Sequence, residues 1–134
     1  MIIANSKIKL MSGISGGAKE VISGFKVPIK INNNCYTTQL FSIDGKNIPT
    51  DTKAYVQMHI LLGEIEYEKI IKGAKFEIVV GKKSYGMSEI INVSEIYIEK
   101  EDLQLLDLRK RREIVAWAER NEKALVFEDV YSIL

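Results

Sequence analysis

From Ala54 onward every second residue is apolar: Ala54, Val56, Met58, Ile60 and Leu62 alternate with Tyr55, Gln57 and His59. Successive side chains of a strand point to opposite faces, so this spacing predicts a strand with one buried and one wetted face. The same period recurs at Ile8 and Leu10 against Lys7 and Lys9, and at Val27, Ile29 and Ile31 against Lys26, Pro28 and Lys30. Phe76, Ile78 and Val80 repeat it. Turn signals separate the runs: Gly16-Gly17, Asn32-Asn33-Asn34, Asp44-Gly45, Ile48-Pro49-Thr50-Asp51 and Gly81-Lys82-Lys83. Short strands at such intervals, with few helical signals between them, favour a closed barrel or a sandwich.

The pattern changes near Ser94. Ser94 to Ile98 still fits a strand, but Glu101 to Asn121 contains neither glycine nor proline and is rich in Leu, Glu, Arg and Ala. Leu103, Leu106, Ile114, Trp117 and Ala118 fall near one face at helical spacing, and Glu101 and Asp102 complement the helix dipole at its start. The expected organisation is therefore a mainly β domain over residues 1–93, followed by a C-terminal extension over 94–134. That extension would hold a helix at about 101–121 and a possible last strand at 124–131. At 134 residues the chain has room for one small domain with such an appendage.

Composition excludes several classes. The N-terminus has no basic region followed by a long apolar run, so no signal peptide is expected. No apolar run is long enough to span a bilayer, which argues against a membrane partner. A single cysteine, Cys35, cannot close an internal disulfide and fits a reducing cytoplasm. Asn92-Val93-Ser94 matches a glycosylation acceptor, which has no use without a secretory route. The net charge of +1 hides a division. Residues 1–93 carry twelve lysines, no arginine and eight carboxylates, whereas residues 94–134 carry a balance of minus three. The first part thus tolerates an anionic partner, though a dedicated nucleic-acid module is usually more basic.

Few motifs carry chemistry. Gly13 to Glu20 falls short of a phosphate-binding P-loop, because Ala18 stands where the second glycine is needed and Glu20 where Ser or Thr would hold magnesium. A β-turn between strands explains the glycines, and no nucleotide is expected. His59 is the sole histidine and would have to serve any Cys–His or Ser–His pair, with Cys35 as nucleophile. It lies mid-strand among apolar residues, so a structural role is favoured. One histidine and one cysteine do not make a closed zinc site, and neither a metal nor another cofactor is expected. Glu64, Glu66 and Glu68 could share a face for acid–base work or for a hard cation, but a solvated acidic edge or a short helix before Gly73 is the favoured reading. Arg109-Lys110-Arg111-Arg112 is the densest basic run. On a helix its members spread round the circumference and can pair with Asp107 and Glu113, so a solvated face is favoured over a nucleic-acid contact.

Three segments, in order, resemble the third domain of elongation factor Tu across roughly residues 6–93. Gly16-Gly17 followed by Ser23-Gly24-Phe25-Lys26 is similar to the family's Gly-Gly-Arg loop and Gly-Tyr-Arg-Pro. Ile48-Pro49-Thr50-Asp51 is similar to its Met-Pro-Gly-Asp turn. Gly73-Ala74-Lys75-Phe76-Glu77-Ile78 and Gly81-Lys82-Lys83-Ser84-Tyr85-Gly86 resemble Gly-Leu-Arg-Phe-Ala-Ile and Gly-Gly-Arg-Thr-Val-Gly. The resemblance implies a six-stranded antiparallel β-barrel, here expected as a stand-alone domain with a C-terminal helical extension. It also implies contact with the T-stem of tRNA, or with a protein of the translation apparatus, through Gly16, Gly17, Lys82 and Lys83. Ala18, Lys82 and Lys83 replace an arginine, a glycine and a second arginine. A lysine meets a phosphate as a point charge and lacks the bidentate fork. The expected function is non-enzymatic binding, with Arg109, Arg111 and Arg112 as further candidates. An immunity or antitoxin protein that neutralises a toxin acting on translation is the alternative, since the acidic segment could cover a basic active site.

Overall fold

The computed structural model describes residues 1–61, 69–96, 107–109, 111–113 and 116. Eight strands run in chain order: β1 Ile2–Leu10, β2 Glu20–Val21, β3 Phe25–Ile31, β4 Asn34–Ser42, β5 Ile48–Pro49, β6 Lys53–Ile60, β7 Lys75–Val80 and β8 Lys83–Ile96. A short 3-10 turn, Ser12–Ser15, follows β1. Six of the strands close an antiparallel barrel in the order β1-β6-β4-β3-β7-β8, with β8 returning to β1. β2 and β5 form a separate two-stranded sheet. Closure pairs every barrel strand on both sides, which removes the exposed edges that invite aggregation.

The alternation read from the sequence drives this closure. Val56, Met58 and Ile60 of β6, Val27, Ile29 and Ile31 of β3, and Ile8 and Leu10 of β1 all turn inward and are buried. Their polar neighbours face out. Hydroxyls that enter the core are satisfied locally. Thr38 Oγ1 donates to the Val27 carbonyl at 2.7 Å, Ser6 Oγ to that of Glu89 at 2.8 Å, and Ser88 Oγ to that of Phe76 at 3.3 Å. Leaving such groups unpaired in the core would cost about 1–3 kcal/mol each.

Val80 departs from the expected pattern. It is 47% exposed, while its neighbour Val79 is buried at 8%. The cause is a shift in the β7–β8 ladder: Ile78 pairs with Gly86, but Val79 pairs with Ser84, so Tyr85 is an extra residue on β8. An inserted residue increases the local twist and ends the simple alternation. β8 also shifts register twice against β1 and continues past Val93 to Ile96. Residues 108–109, 111–113 and 116 are α-helical. Most of the expected helix at 101–121 and all of the expected strand at 124–131 lie outside the described residues. No helix among the described residues is long and apolar enough to cross a membrane.

The register fixes two ends of the barrel. Ile2, Ile60, Ile31 and Asn34 lie at one. Leu10, Lys53, Phe25, Leu40 and the β7–β8 turn lie at the other. The second end collects the long β1–β3 and β4–β6 connections, and it is the loop end below.

Candidate functional site

The loop end carries most of the residues singled out in the sequence. The 3-10 turn Ser12–Ser15 closes on Gly16 and Gly17, whose φ angles of 70° and 90° lie in the left-handed region that glycine adopts freely. The Gly17 amide donates to the Ser12 carbonyl at 2.8 Å. The expected simple β-turn is therefore a tighter, helical one. Space around both glycines is open: a Cβ at either would meet no atom within 4 Å. With four residues, the turn offers no helix for a phosphate to cap.

Thr50 and Asp51 hold this loop at both of its ends. The Thr50 amide donates to the Lys19 carbonyl at 2.9 Å, and Thr50 Oγ1 donates to that of Ala18 at 2.6 Å. The Asp51 amide donates to the Leu10 carbonyl at 2.6 Å, and the Ser12 amide donates to Asp51 Oδ1 at 2.9 Å. Asp51 adopts a left-handed φ of 60°, a strain that these four bonds offset. The hydrogen bonds from Ser12, and then the charge of Lys9, hold the Asp51 carboxyl below the ordinary aspartate value of 3.8. A depressed folded-state pKa means that the bond contributes fully above pH 3.8 and is lost as pH falls through the lowered value. Exchange protection of the Ser12 amide is therefore expected to fade in that acid window, as followed by NMR. In Asp51→Asn, which keeps an oxygen acceptor, the protection should no longer vary with pH there.

Lys82 and Lys83 reach the same end through the β7–β8 turn. Lys83 Nζ lies 5.2 Å from the centre of the Tyr85 ring, a cation–π distance. The Tyr85 carbonyl accepts from the Met11 amide at 2.7 Å, and a Cβ on Gly13 would touch the Tyr85 ring at 3.4 Å. Tyr85 thus joins the lysine turn to the glycine loop. Both lysines are exposed. Among the described residues the ion pairs are Lys7–Glu89 at 4.0 Å and Arg109–Glu113 at 3.3 Å, so neither Lys82 nor Lys83 is neutralised by a described carboxylate.

The remaining candidates fall elsewhere. Arg109 Nε pairs with Glu113 one helical turn on, and the Arg111 amide donates to the Asp107 carbonyl at 3.1 Å. Arg112 is exposed, and among the described residues neither it nor Arg109 has a described bond to the loop end. His59 packs its ring on Phe41, with centroids 4.4 Å apart, and its Nε2 lies 3.0 Å from Gln57 Oε1. It pairs with Gln39, four residues along β4 from Cys35, or about 13 Å at ~3.3 Å per residue. The two cannot form a catalytic pair. Glu64, Glu66 and Glu68 lie outside the described residues. No cluster of three metal-ligating side chains occurs among the described residues.

One feature of the loop end escapes the sequence reading. Ile22, Ile43 and Tyr55 are 67%, 65% and 61% exposed, the most exposed large hydrophobic residues described. Ile43 and Tyr55 line an open cleft of about 390 Å³ with Ser42, Asp44, Asn47, Ile48, Pro49, Lys53 and Ala54. The signal was present in the 43–55 segment, but isolated apolar residues beside turns carry no period. Neither a known protein-family model nor a curated protein sequence matches the chain.

Proposed function

We propose that this chain is a non-enzymatic binding protein of the elongation-factor-Tu third-domain type, whose loop end meets the phosphate backbone of a structured RNA such as tRNA. One observation carries the reading. Gly16-Gly17 and Gly81-Lys82-Lys83, far apart in sequence, share one end of the barrel and are joined through Tyr85. Open glycine backbone lets a phosphate approach closely, and two exposed lysines supply charge that no described carboxylate cancels. A closed six-stranded antiparallel barrel is also the architecture that the resemblance implies. The separation of His59 from Cys35 removes that pair as a nucleophile and its base.

Titration of bulk tRNA at 50 mM and 200 mM salt tests the reading. Binding in the micromolar range or tighter at the lower salt, weakening steeply at the higher, is expected, as counterion release requires. No salt-sensitive binding at micromolar protein would overturn it. The second reading is an immunity or antitoxin protein, favoured by the minus-three balance of residues 94–134. It would show instead as tight association with a basic toxin that leaves Lys82 and Lys83 uninvolved.

A further inference from the structure

We infer that the outer face of the barrel around Ile3 is the seat of the chain's own segment after Ile96, which docks there through Leu103, Leu106, Ile114 and Trp117. Ile2 and Ala4 belong to the core, so Ile3 between them points out of the barrel. An outward position is ordinarily wet, yet Ile3 is 8% exposed. Exposure falls along this face of β1, from exposed Lys9 through half-buried Lys7 and Asn5 to Ile3. The cover therefore comes from outside the sheet, at the end opposite the lysine turn. Across β6 the flanking outer positions are Gln57 and His59, and the His59 ring lies on Phe41 of β4. Ile3, His59 and Phe41 thus form an apolar and aromatic band that no carboxylate or ammonium interrupts on β1, β6 or β4.

The chain itself supplies a cover of matching chemistry. β8 pairs Glu95 with Ile3 and ends at Ile96, so the chain leaves the sheet beside this band with residues 97–134 still to come. Within them, residues 108–109, 111–113 and 116 are α-helical, and the Arg111 amide donates to the Asp107 carbonyl. Asp107, Leu108, Arg109, Arg112, Glu113 and Ala116 are exposed, and Arg111 is half-buried. At about 100° per residue, these positions occupy roughly two-thirds of the helix circumference. The remaining arc falls in the sequence on Lys110, Ile114 and Trp117, and one to two turns earlier on Leu103 and Leu106. A helix with one apolar arc and a wetted remainder needs a surface to bury the arc against. The band at Ile3 is already covered and lies where the segment begins. Residues 97–102 span up to about 20 Å, enough to turn back from the end of β8. The lysine in the arc can lay its stem on the band while its ammonium reaches water. The band is remote from Lys82 and Lys83, so the docking does not depend on the RNA reading.

Trp117 is the only tryptophan, so its fluorescence in the full-length protein reports the docking directly. Its emission should be blue-shifted and resist quenching by acrylamide, and its indole protons should show NOEs to the Ile3 methyls. Ile3→Lys should red-shift the emission and raise the quenching constant several-fold, because a buried ammonium is costly. Ile43→Lys, at an exposed position of the loop end, should change neither. Far-UV circular dichroism checks that the barrel persists in both variants, and if Ile3→Lys unfolds, the NOEs of the native chain decide. Native Trp117 quenched as readily as free tryptophan would overturn the inference, as would a folded Ile3→Lys variant with unchanged quenching. NOEs from Trp117 to another face of the barrel would overturn it too. So would protection that is lost on dilution, which marks docking on a second copy.

Discussion

Gly86→Ala is expected to destabilise the barrel by about 3–5 kcal/mol, and Gly86→Val to leave no folded population at room temperature. Gly86 sits where β8 bonds both neighbours at once, paired with Leu10 of β1 and with Ile78 of β7. Its φ of 149° lies outside the range that side chains tolerate. An added Cβ would overlap the Lys9 carbonyl oxygen and stand 3.1 Å from the carbonyl carbon, both backbone atoms of a strand fixed in the barrel. No rotamer change relieves that overlap. Gly16→Ala provides the contrast. There the added Cβ meets open space, so only the left-handed backbone cost of about 1 kcal/mol remains. Urea denaturation followed by circular dichroism measures both. An unchanged midpoint for Gly86→Ala would contradict the closure described at the β1–β8 seam.

Ile29→Ala is expected to cost about 2–5 kcal/mol, the range for deleting a fully buried branched side chain. Ile29 is 0% exposed and pairs with Tyr36 of β4 and Ile78 of β7. Its pairing with Ile78 is one of only two ladder pairs that join β3 to β7, the other being Lys30 with Glu77. This is the thinnest seam of the barrel, so side-chain packing across it must supply what the short ladder does not. Ile43→Ala, at an equally large residue left 65% exposed, should change stability by no more than about 0.5 kcal/mol. The pair of variants separates burial from residue type in a single denaturation experiment.

The strands were legible because a period of two is a local property. Ala54 to Ile60 and Val27 to Ile31 declare their buried faces without reference to any partner. Val80 departs from its apparent period because the extra Tyr85 on the opposite strand displaces the register, and nothing near Val80 reports it. The short β2 and β5 strands have two residues each, too few to show a period. Within the candidate site, Gly16, Gly17, Lys82 and Lys83 were legible as turn residues, but their common end and the link through Tyr85 depend on barrel closure. The same holds for Thr50 and Asp51, which read as a turn and also anchor a loop some forty residues upstream. Ile22, Ile43 and Tyr55 stand beside turns, and no local period marks them as the most exposed large hydrophobic residues described.

The most direct test of RNA contact at the loop end is the salt dependence of tRNA binding compared between the native chain and the Lys82→Ala, Lys83→Ala double variant. Each phosphate contact contributes roughly 0.7–0.9 to the slope of log affinity against log salt. Two lost contacts should therefore flatten that slope by about 1.5 and weaken binding at 50 mM salt, with the melting temperature unchanged because both lysines are exposed. An identical slope in the two proteins, or no tRNA binding by either, would contradict it.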